Sequence, residues 1–420
     1  MANNPHNSHS EQSTSPRPPE TGSPIRTSRK AAQFGESVIR EMTRLFLARS
    51  DDAFPGVNLA QGFPDFPAPL AMKEAAVQAI RDDINQYAVT WGAPSLRRAI
   101  ADKTERFYGV RPDPEREITV TCGATEAMMA ALLALVDPGD EVIVFEPFYE
   151  NYGPDAILSG AKPVYVTLHA PDWSFDGDEL AAAFSDRTRA IIVNTPHNPT
   201  GKVFTREELS VIASLCRKWN VAAVTDEIYE HLIYDEACHV RLADLPGMRE
   251  RTITISGLSK TYSATGWRIG WLLAPPHITD ALRKVHDFLT VGAAAPLQAG
   301  AAAALAFPDD YYRDLAEGYQ QKRDVLLPAI AAAGFELPLM PKGAYYVLTD
   351  AAALLPSHHC ADGVTFARRL VQEFGIATVP GSSFWRPGHA DGQTRIRFCW
   401  CKRPETLLRA QELLQNLKAA

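Results

Sequence analysis

An α/β fold built on a mostly parallel sheet covered on both faces is predicted by three features of the chain. Between residues 118 and 273, short apolar or β-branched runs recur, and helical segments separate several of them. Past about Arg283 this alternation gives way to a long helical region, short strands and a final helix, the pattern of a smaller α+β unit. Phe34–Pro69 precedes the first of the recurring runs and is expected to join that smaller unit, so that one lobe is made from both chain ends. The expected division is a tail (1–29), an N-terminal segment contributing to the small domain (30–75), a large domain (76–310) and a C-terminal small domain (311–420). A chain of 420 residues agrees with two or three domains at ~150 residues each.

In chain order, residues 1–29 are rich in Ser, Pro, Asn and His and are expected to be disordered, because they have almost no large apolar side chains to bury. They lack the apolar core of a secretory signal and have too few arginines for a transit peptide. Folding signals start at Phe34, and Val38, Ile39, Met42, Leu45 and Phe46 recur at helical spacing. In Val57–Pro67, Gly62, Pro64 and Pro67 predict a fixed irregular loop suited to lining a site. Leu70–Arg81 and Ala93–Tyr108 read as helices, with Asn85-Gln86-Tyr87 in a loop between them. Ile118–Thr121 is a strand, and Cys122-Gly123-Ala124-Thr125-Glu126 is a tight turn into a helix over Ala127–Val136. Such a turn offers free backbone N–H groups to an anion. Further strands are expected at Glu141–Phe145, Pro163–Leu168, Ala190–Asn194, Ala222–Thr225, Thr252–Ile255 and Ile269–Leu273, with a helix at Thr205–Trp219. Beyond them come a helical region at Tyr311–Ala333, strands at Gly343–Thr349, Ile376–Val379 and Thr394–Trp400, and a helix at Pro404–Leu417.

Composition narrows the function classes. An apolar fraction of 46% and a charged fraction of 22% are those of a soluble globular protein. A net charge of −8 without a basic run argues against a nucleic-acid partner. The most apolar tract, Ala293–Phe307, is shorter than the ~20 residues of a membrane span. The six cysteines show neither CxxC nor zinc spacing; Cys399 and Cys401 share a strand face without forming a disulfide framework, so reduced thiols in a cytoplasmic protein are expected. His358-His359-Cys360 lacks ligand spacing and reads as a solvated loop, so no metal site is expected. Gly201-Lys202 lacks the remaining residues of a phosphate-binding P-loop.

The chemistry-bearing residues fall at successive strand ends, where open α/β sheets bind ligands. Gly123-Ala124-Thr125 is an anion nest, Tyr149 an aromatic ring, and Asn198 lies in His197-Asn198-Pro199-Thr200-Gly201-Lys202. Asp226 ends an apolar strand with Tyr229 one helical step on, and Lys260 and Arg268 follow the strand Thr252–Ile255. Taken singly these residues are ordinary: a helix cap, a turn, a packed ring, a surface amine. Together they suit a pyridine aldehyde phosphate: a lysine for the Schiff base, a carboxylate for the ring nitrogen, Tyr and Asn for the ring hydroxyl, a nest and an arginine for the phosphate, and an aromatic ring to stack.

The chain resembles the class I aminotransferases of the aspartate aminotransferase fold, nearest the kynurenine aminotransferase/glutamine transaminase K branch, with similar bacterial enzymes acting on methionine and succinyl-diaminopimelate. The resemblance runs from Phe34 to the C-terminus. It is carried by Gln61-Gly62-Phe63-Pro64-Asp65-Phe66-Pro67, Asn85-Gln86-Tyr87, Gly123-Ala124-Thr125-Glu126, the run NTPHNPTGKV at Asn194–Val203, Asp226-Glu227-Ile228-Tyr229-Glu230, Ser259-Lys260-Thr261-Tyr262-Ser263-Ala264-Thr265-Gly266-Trp267-Arg268 and Ile396-Arg397-Phe398. It implies a fold-type I enzyme whose large domain holds a mostly parallel seven-stranded sheet, with pyridoxal 5′-phosphate as cofactor and a homodimer with shared sites. By the same resemblance Lys260 is the Schiff-base lysine and proton shuttle, Asp226 pairs with the ring nitrogen, Asn198 and Tyr229 contact the ring oxygen, and Tyr149 stacks. Gly123, Ala124, Thr125, Ser259 and Arg268 hold the phosphate, joined by Tyr87 of the other subunit. Arg397 binds the substrate carboxylate with Asn198 and the Gly62 backbone. One departure is Gly257, where the family often has a phosphate-binding Ser; Ser259 is expected to supply that hydroxyl.

The implied reaction is transfer of an amino group from an L-amino acid to a 2-oxo acid by ping-pong half-reactions. β-Elimination, a dicarboxylate-specific transaminase and a cofactor-binding regulator without turnover are the alternatives; the intact Lys260, Asp226 and Arg397 argue against the last. By the resemblance, the loop after Val285-His286 supplies part of the side-chain pocket. Here that loop is Asp287–Pro296, without Arg or Lys, so a neutral or aromatic donor is expected unless Arg40 or Arg44 reaches the site.

Overall fold

Backbone punctuation and apolar periodicity set the elements, which the computed structural model describes for Ile25, residues 27–49 and residues 55–419. The expected disorder of residues 1–29 falls almost wholly outside the described residues. The first helix, α1 (Val38–Arg49), buries Met42. The loop at Val57–Pro67 is not wholly irregular, because Val57–Asn58 forms a two-residue strand, β1. Helices α2 (Leu70–Arg81) and α3 (Pro94–Tyr108) follow. Pro94 opens α3, where a missing N–H costs nothing, and Gly109 ends it in the left-handed region at φ 69°. After β2 (Ile118–Thr121), α4 (Ala124–Leu135) starts at Ala124 rather than Ala127, so Thr125 and Glu126 belong to its first turn.

β3 (Glu141–Glu146), α5 (Tyr152–Ser159), β4 (Lys162–His169), β5 (Ser174–Phe175), α6 (Gly177–Ala182) and β6 (Thr188–Asn194) come next. α7 (Arg206–Trp219) is fixed at its start by a capping box between Thr205 and Glu208. β7 (Ala222–Asp226), β8 (Thr252–Gly257), the single-turn α8 (Leu258–Thr261) and β9 (Gly270–Leu273) complete the central part. The chain ends with α9 (Pro276–Leu289), α10 (Ala295–Leu305), α11 (Asp309–Ala332), β10 (Tyr346–Asp350), α12 (Gly363–Phe374), β11 (Ile376–Ala377), β12 (Val379–Pro380), β13 (Arg395–Cys399) and α13 (Pro404–Ala419).

The central sheet has the order β2-β9-β8-β7-β6-β3-β4-β5. Strands β8, β7, β6, β3 and β4 are mutually parallel, and β9 runs antiparallel to both its neighbours. All seven expected strands are present; the eighth, β5, is a two-residue edge piece too short to leave a periodic signal. Alternate residues of the parallel strands feed opposite cores. Val142, Val144, Ile192, Val224 and Ile253 pack on the α4 side, while Ile143, Phe145, Ile191, Val193 and Ala223 pack on the other. Burying such a side chain contributes about 1.5–3 kcal/mol, which is why these strands read as continuous apolar runs.

The expected strand Ile376–Val379 divides at Thr378: β11 pairs with β1, and β12 pairs with β13 in a separate three-stranded sheet. Both chain ends therefore meet through β1 and β11, and α1 packs on α12. The anticipated loop Asp287–Pro296 shrinks to residues 290–294, because α9 runs to Leu289 and α10 opens at Ala295. His358 is not solvated but packs on Phe366 and Phe374. Among the described residues no group of His, Cys, Asp and Glu is arranged to hold a metal.

Candidate active site

Parallel register brings the ends of β6, β7 and β8 level: Asn194 stands beside Asp226, and Asp226 beside Ile255. A cavity opens there, lined by Ala124, Thr125, Tyr149, Asn198, Asp226, Tyr229, Ser259, Lys260 and Arg268, all expected from the sequence. Lys260 is carried by α8, immediately after the end of β8, and its Nζ donates to the Gly62 carbonyl at 3.0 Å. Burial of this amine, assisted by the nearby Arg397 charge, pushes its pKa down to about 8.

Asp226 is buried at the floor. Tyr152 Oη donates to its Oδ2 at 2.7 Å and the Ile228 N–H to its Oδ1 at 3.2 Å. Burial nevertheless raises the carboxyl above the ordinary range, so a cation against it would be stabilised. Asn194 holds the next strand end: its Oδ1 accepts from the Asn198 N–H at 2.8 Å and its Nδ2 donates to the Asp226 carbonyl at 2.9 Å.

The end of the cavity at Arg268 is built from a close approach of backbones. A Cβ on Gly270 would lie 2.5 Å from the Gly123 carbonyl carbon, and one on Gly123 would lie 2.4 Å from Arg268 Nη2. Only glycines let the α4 N-terminus, β9 and the Arg268 guanidinium converge in this way. Arg268 Nη1 donates to the Thr265 carbonyl at 3.1 Å and Nη2 to Thr125 Oγ1 at 3.4 Å. Gly257 has no room for a side chain, since a Cβ would lie 2.9 Å from the Ile269 carbonyl; Ser259, two residues on, lines the cavity.

Arg397 comes from β13 and is buried. It donates to Asn198 Oδ1 at 2.8 Å and to the Ala60 carbonyl at 2.7 Å, while its Nε has no partner. Its guanidinium lies over the Tyr346 ring at 4.3 Å and makes no ion pair among the described residues. A buried cation with unused donors suits a carboxylate ligand. Gly62 fits here because any Cβ would collide with Tyr346 Oη.

Several lining residues were given no role from the sequence: Met128, Asn151, Tyr152, Asp155 and Tyr346, and Asn194, which was read only as the start of a motif run. Tyr346 Oη accepts from Tyr229 Oη at 3.2 Å. Asp155 Oδ2 has no hydrogen-bond partner, and burial pushes its carboxyl up to about 7. The helical spacing of Tyr149, Tyr152 and Asp155 was the one available clue. Tyr87 does not reach this cavity. It is 86% exposed and lines a separate hollow with Asn85, Gln86, Ala88 and residues 291–295. Arg44 is bonded to Glu36, and Arg40 lines an outer cavity that shares Asn151 and Asp155 with this one.

Comparison with known proteins gives a consistent result. The profile of the family described as aminotransferase class I and II matches residues 55–414. The methionine aminotransferase of Escherichia coli is 38% identical over 397 residues, covering 94% of this chain and all of that protein. Human kynurenine–oxoglutarate transaminase 1 is 38% identical, covering 86% of this chain and 92% of that protein. The solved structure of N-succinyldiaminopimelate aminotransferase from Mycobacterium tuberculosis superimposes with a TM-score of 0.87 at 38% identity, over 93% of this chain and all of that one.

Proposed function

The chain belongs to the class I and II aminotransferases, enzymes that move an amino group between an amino acid and a 2-oxo acid with pyridoxal 5′-phosphate, and we propose that it does so at the cavity around Lys260 with a neutral or aromatic L-amino acid as donor. The observation that carries this reading is a part-buried amine of lowered pKa facing the same cavity as a buried carboxyl, with the buried Arg397 guanidinium bonded to Asn198 and stacked on Tyr346, both of which line that cavity.

The donor set fits the cofactor. The α4 N-terminus, Ser259 and Arg268 would hold its phosphate, Asp226 its ring nitrogen, Asn198 and Tyr229 its ring oxygen, and Tyr149 its face, with Lys260 as the covalent attachment. When bound, the cofactor supplies an electron sink that makes the substrate Cα–H acidic. The residues do the rest. Asp226, held by Tyr152, would present its carboxylate to the ring nitrogen. Arg397 receives the α-carboxylate through its unused N–H groups, and Asn198 holds the guanidinium plane. Lys260 Nζ, displaced from its attachment by the substrate amine, would with its lowered pKa be unprotonated often enough near neutral pH to take the Cα proton and return it two bonds away.

Two further parts belong to this reading. One is a homodimer: Tyr87, Phe288, Ile80, Ile84, Leu289 and Val291 are exposed apolar side chains, Tyr87 and Val291 lining one hollow, and Tyr87 would complete the phosphate site of the other subunit. The other is a cytoplasmic enzyme divided into a large domain (76–310) and a small one (30–75 with 311–420); its cysteines are all free, and no described helix is long and apolar enough to cross a membrane.

The test is a half-reaction. Protein loaded with the cofactor is mixed with glutamine, methionine, phenylalanine or aspartate alone. One equivalent of the matching 2-oxo acid per site, with a change in cofactor absorbance reversed by a second oxo acid, is the expected result. No oxo acid from any donor would overturn the reading.

A further inference from the structure

His286 is 1% exposed, in the last turn of α9, and both its ring nitrogens are engaged. Nε2 lies 2.8 Å from the Thr90 carbonyl, which can only accept, so Nε2 carries a proton. Nδ1 lies 2.6 Å from Glu126 Oε1. Glu126 also accepts from Thr290 Oγ1 at 2.8 Å and from the Cys122 N–H, the bonding pattern of an ionised carboxylate. Nδ1 must then donate as well, which makes His286 an imidazolium. Burial alone would lower the histidine's pKa and raise the carboxyl's, yet their mutual bonds outweigh it, holding His286 above and Glu126 below the ordinary ranges. The neighbouring charges are few. Asp287 on the same helix favours the cation, Arg268 acts on Cys122, and Arg283 is turned away to the Ile118 carbonyl and Thr119.

Three pieces of chain meet at this pair. Glu126 is in the first turn of α4, directly behind Gly123-Ala124-Thr125. Thr290 and Gly292 belong to the loop after α9; Cys122 Sγ contacts the Gly292 carbonyl at 3.6 Å, and a Cβ on Gly292 would lie 3.2 Å from the Thr90 carbonyl. Thr90 closes the loop that carries the exposed Tyr87. Without His286, an unneutralised carboxylate would stand in the helix turn that receives an anion, and the two loops would lose their common tie.

We propose that His286 is a positioning residue for the phosphate-binding turn, acting as a buried imidazolium that neutralises Glu126 and locks residues 122–126 to the loops at 85–90 and 290–292. The proposal rests on the reading that this turn holds the cofactor phosphate. His286 touches neither substrate nor cofactor; it sets how well the turn accepts a dianion.

The experiment compares equilibrium binding of pyridoxal 5′-phosphate with that of pyridoxal, which lacks the phosphate, to cofactor-stripped protein, followed by tryptophan fluorescence across pH. Attachment to Lys260 is common to both ligands, so the ratio of affinities isolates the phosphate. Wild type should prefer the phosphorylated ligand, and the preference should fall as pH rises through the raised His286 pKa, because the cation exists below that pKa and is lost above it. His286→Gln should reduce the preference at neutral pH by roughly tenfold, the scale of a partly buried charge interaction, and abolish its pH dependence. Glu126→Gln should also abolish the pH dependence, since it removes the carboxylate that keeps the second proton on His286. Unfolding by urea verifies that each variant is folded. A folded His286→Gln protein with an unchanged ratio, or a wild-type ratio flat with pH, overturns the proposal. Equal affinity of wild type for the two ligands overturns the phosphate reading and the proposal with it.

Discussion

Tyr152 Oη donates to Asp226 Oδ2 at 2.7 Å, joining the first turn of α5 to the end of β7 across the floor of the cavity. Burial pushes Asp226 toward its neutral form, and this bond opposes that shift. Asp226→Asn removes the charge under the ring nitrogen and should slow proton transfer at Cα by orders of magnitude in single-turnover measurements. Tyr152→Phe leaves the Ile228 N–H as the remaining hydrogen bond to the carboxylate. A lost bond to a charged group costs about 1.5–3 kcal/mol, so a smaller but clear loss, roughly tenfold or more, is expected. Near-normal single-turnover rates in both variants would remove Asp226 from the mechanism.

Lys260 should be the sole residue marked when the loaded protein is reduced with borohydride and its peptides are mapped by mass. A label on another lysine would refute the assignment. The amine has a second, cofactor-independent signature. Burial holds it at about 8 in the folded protein, against ~10.4 in an unfolded chain. Below pH 8 both states carry the proton and the folded one bears the cost. Between about 8 and 10.4 only the unfolded state keeps it, so stability rises with pH through that window. Lys260→Met should therefore stabilise the cofactor-free protein by up to about 3 kcal/mol at neutral pH, and the gain should vanish toward pH 10.4. Urea unfolding at several pH values reads this directly; a gain independent of pH would assign it to packing alone.

Arg397→Ala removes a buried cation whose Nε is unpartnered. A buried charge-assisted pair is worth about 2–5 kcal/mol. Amino-acid and 2-oxo-acid substrates should both bind more weakly by that order while cofactor binding is kept, as titrations followed by cofactor absorbance would show. Unchanged affinity for both substrates would make Arg397 structural.

What the sequence made legible follows from where each residue sits. Asp226, Asn198 and Lys260 stand at or shortly after the ends of apolar strands, and parallel pairing then forces them onto one edge. Tyr152, Asp155 and Tyr346 enter the cavity through the orientation of a helix and the approach of a separate sheet, which local periodicity does not encode. The start of α4 at Ala124 was hidden because Thr125 and Glu126 are polar and interrupt the apolar pattern. Strand β5 and the break at Thr378 were hidden because two-residue strands have no period to read.

Tyr87 tests the shared site. It lies outside its own chain's cavity, on an exposed surface beside residues 291–295. Tyr87→Ala and Lys260→Ala subunits, each weak or inactive alone, should form hybrids on mixing with one site bearing both lesions and one bearing neither. Activity should reappear on mixing. A monomer at micromolar concentration by sedimentation, or no recovery from a demonstrated hybrid, would exclude the shared arrangement.

The substrate side chain is the last prediction. A distal carboxylate needs a cation, and those lining the cavity, Lys260 and Arg268, are assigned to the cofactor, while Arg397 is assigned to the α-carboxylate. The loop that would reach a partner's cavity, residues 290–294, contributes only Thr, Val, Gly and Ala. Arg44 is held by Glu36. Asp155 adds an unpartnered carboxyl to the cavity, and as it ionises above about pH 7 it would repel a second acid group on the substrate. Glutamine, methionine or phenylalanine should therefore exceed aspartate in kcat/KM, and Asp155→Asn should narrow the gap at pH 8 more than at pH 6. An advantage for aspartate of tenfold or more, about 1.4 kcal/mol of transition-state binding, would show that a cation from elsewhere enters the site, and the neutral-pocket reading would fall.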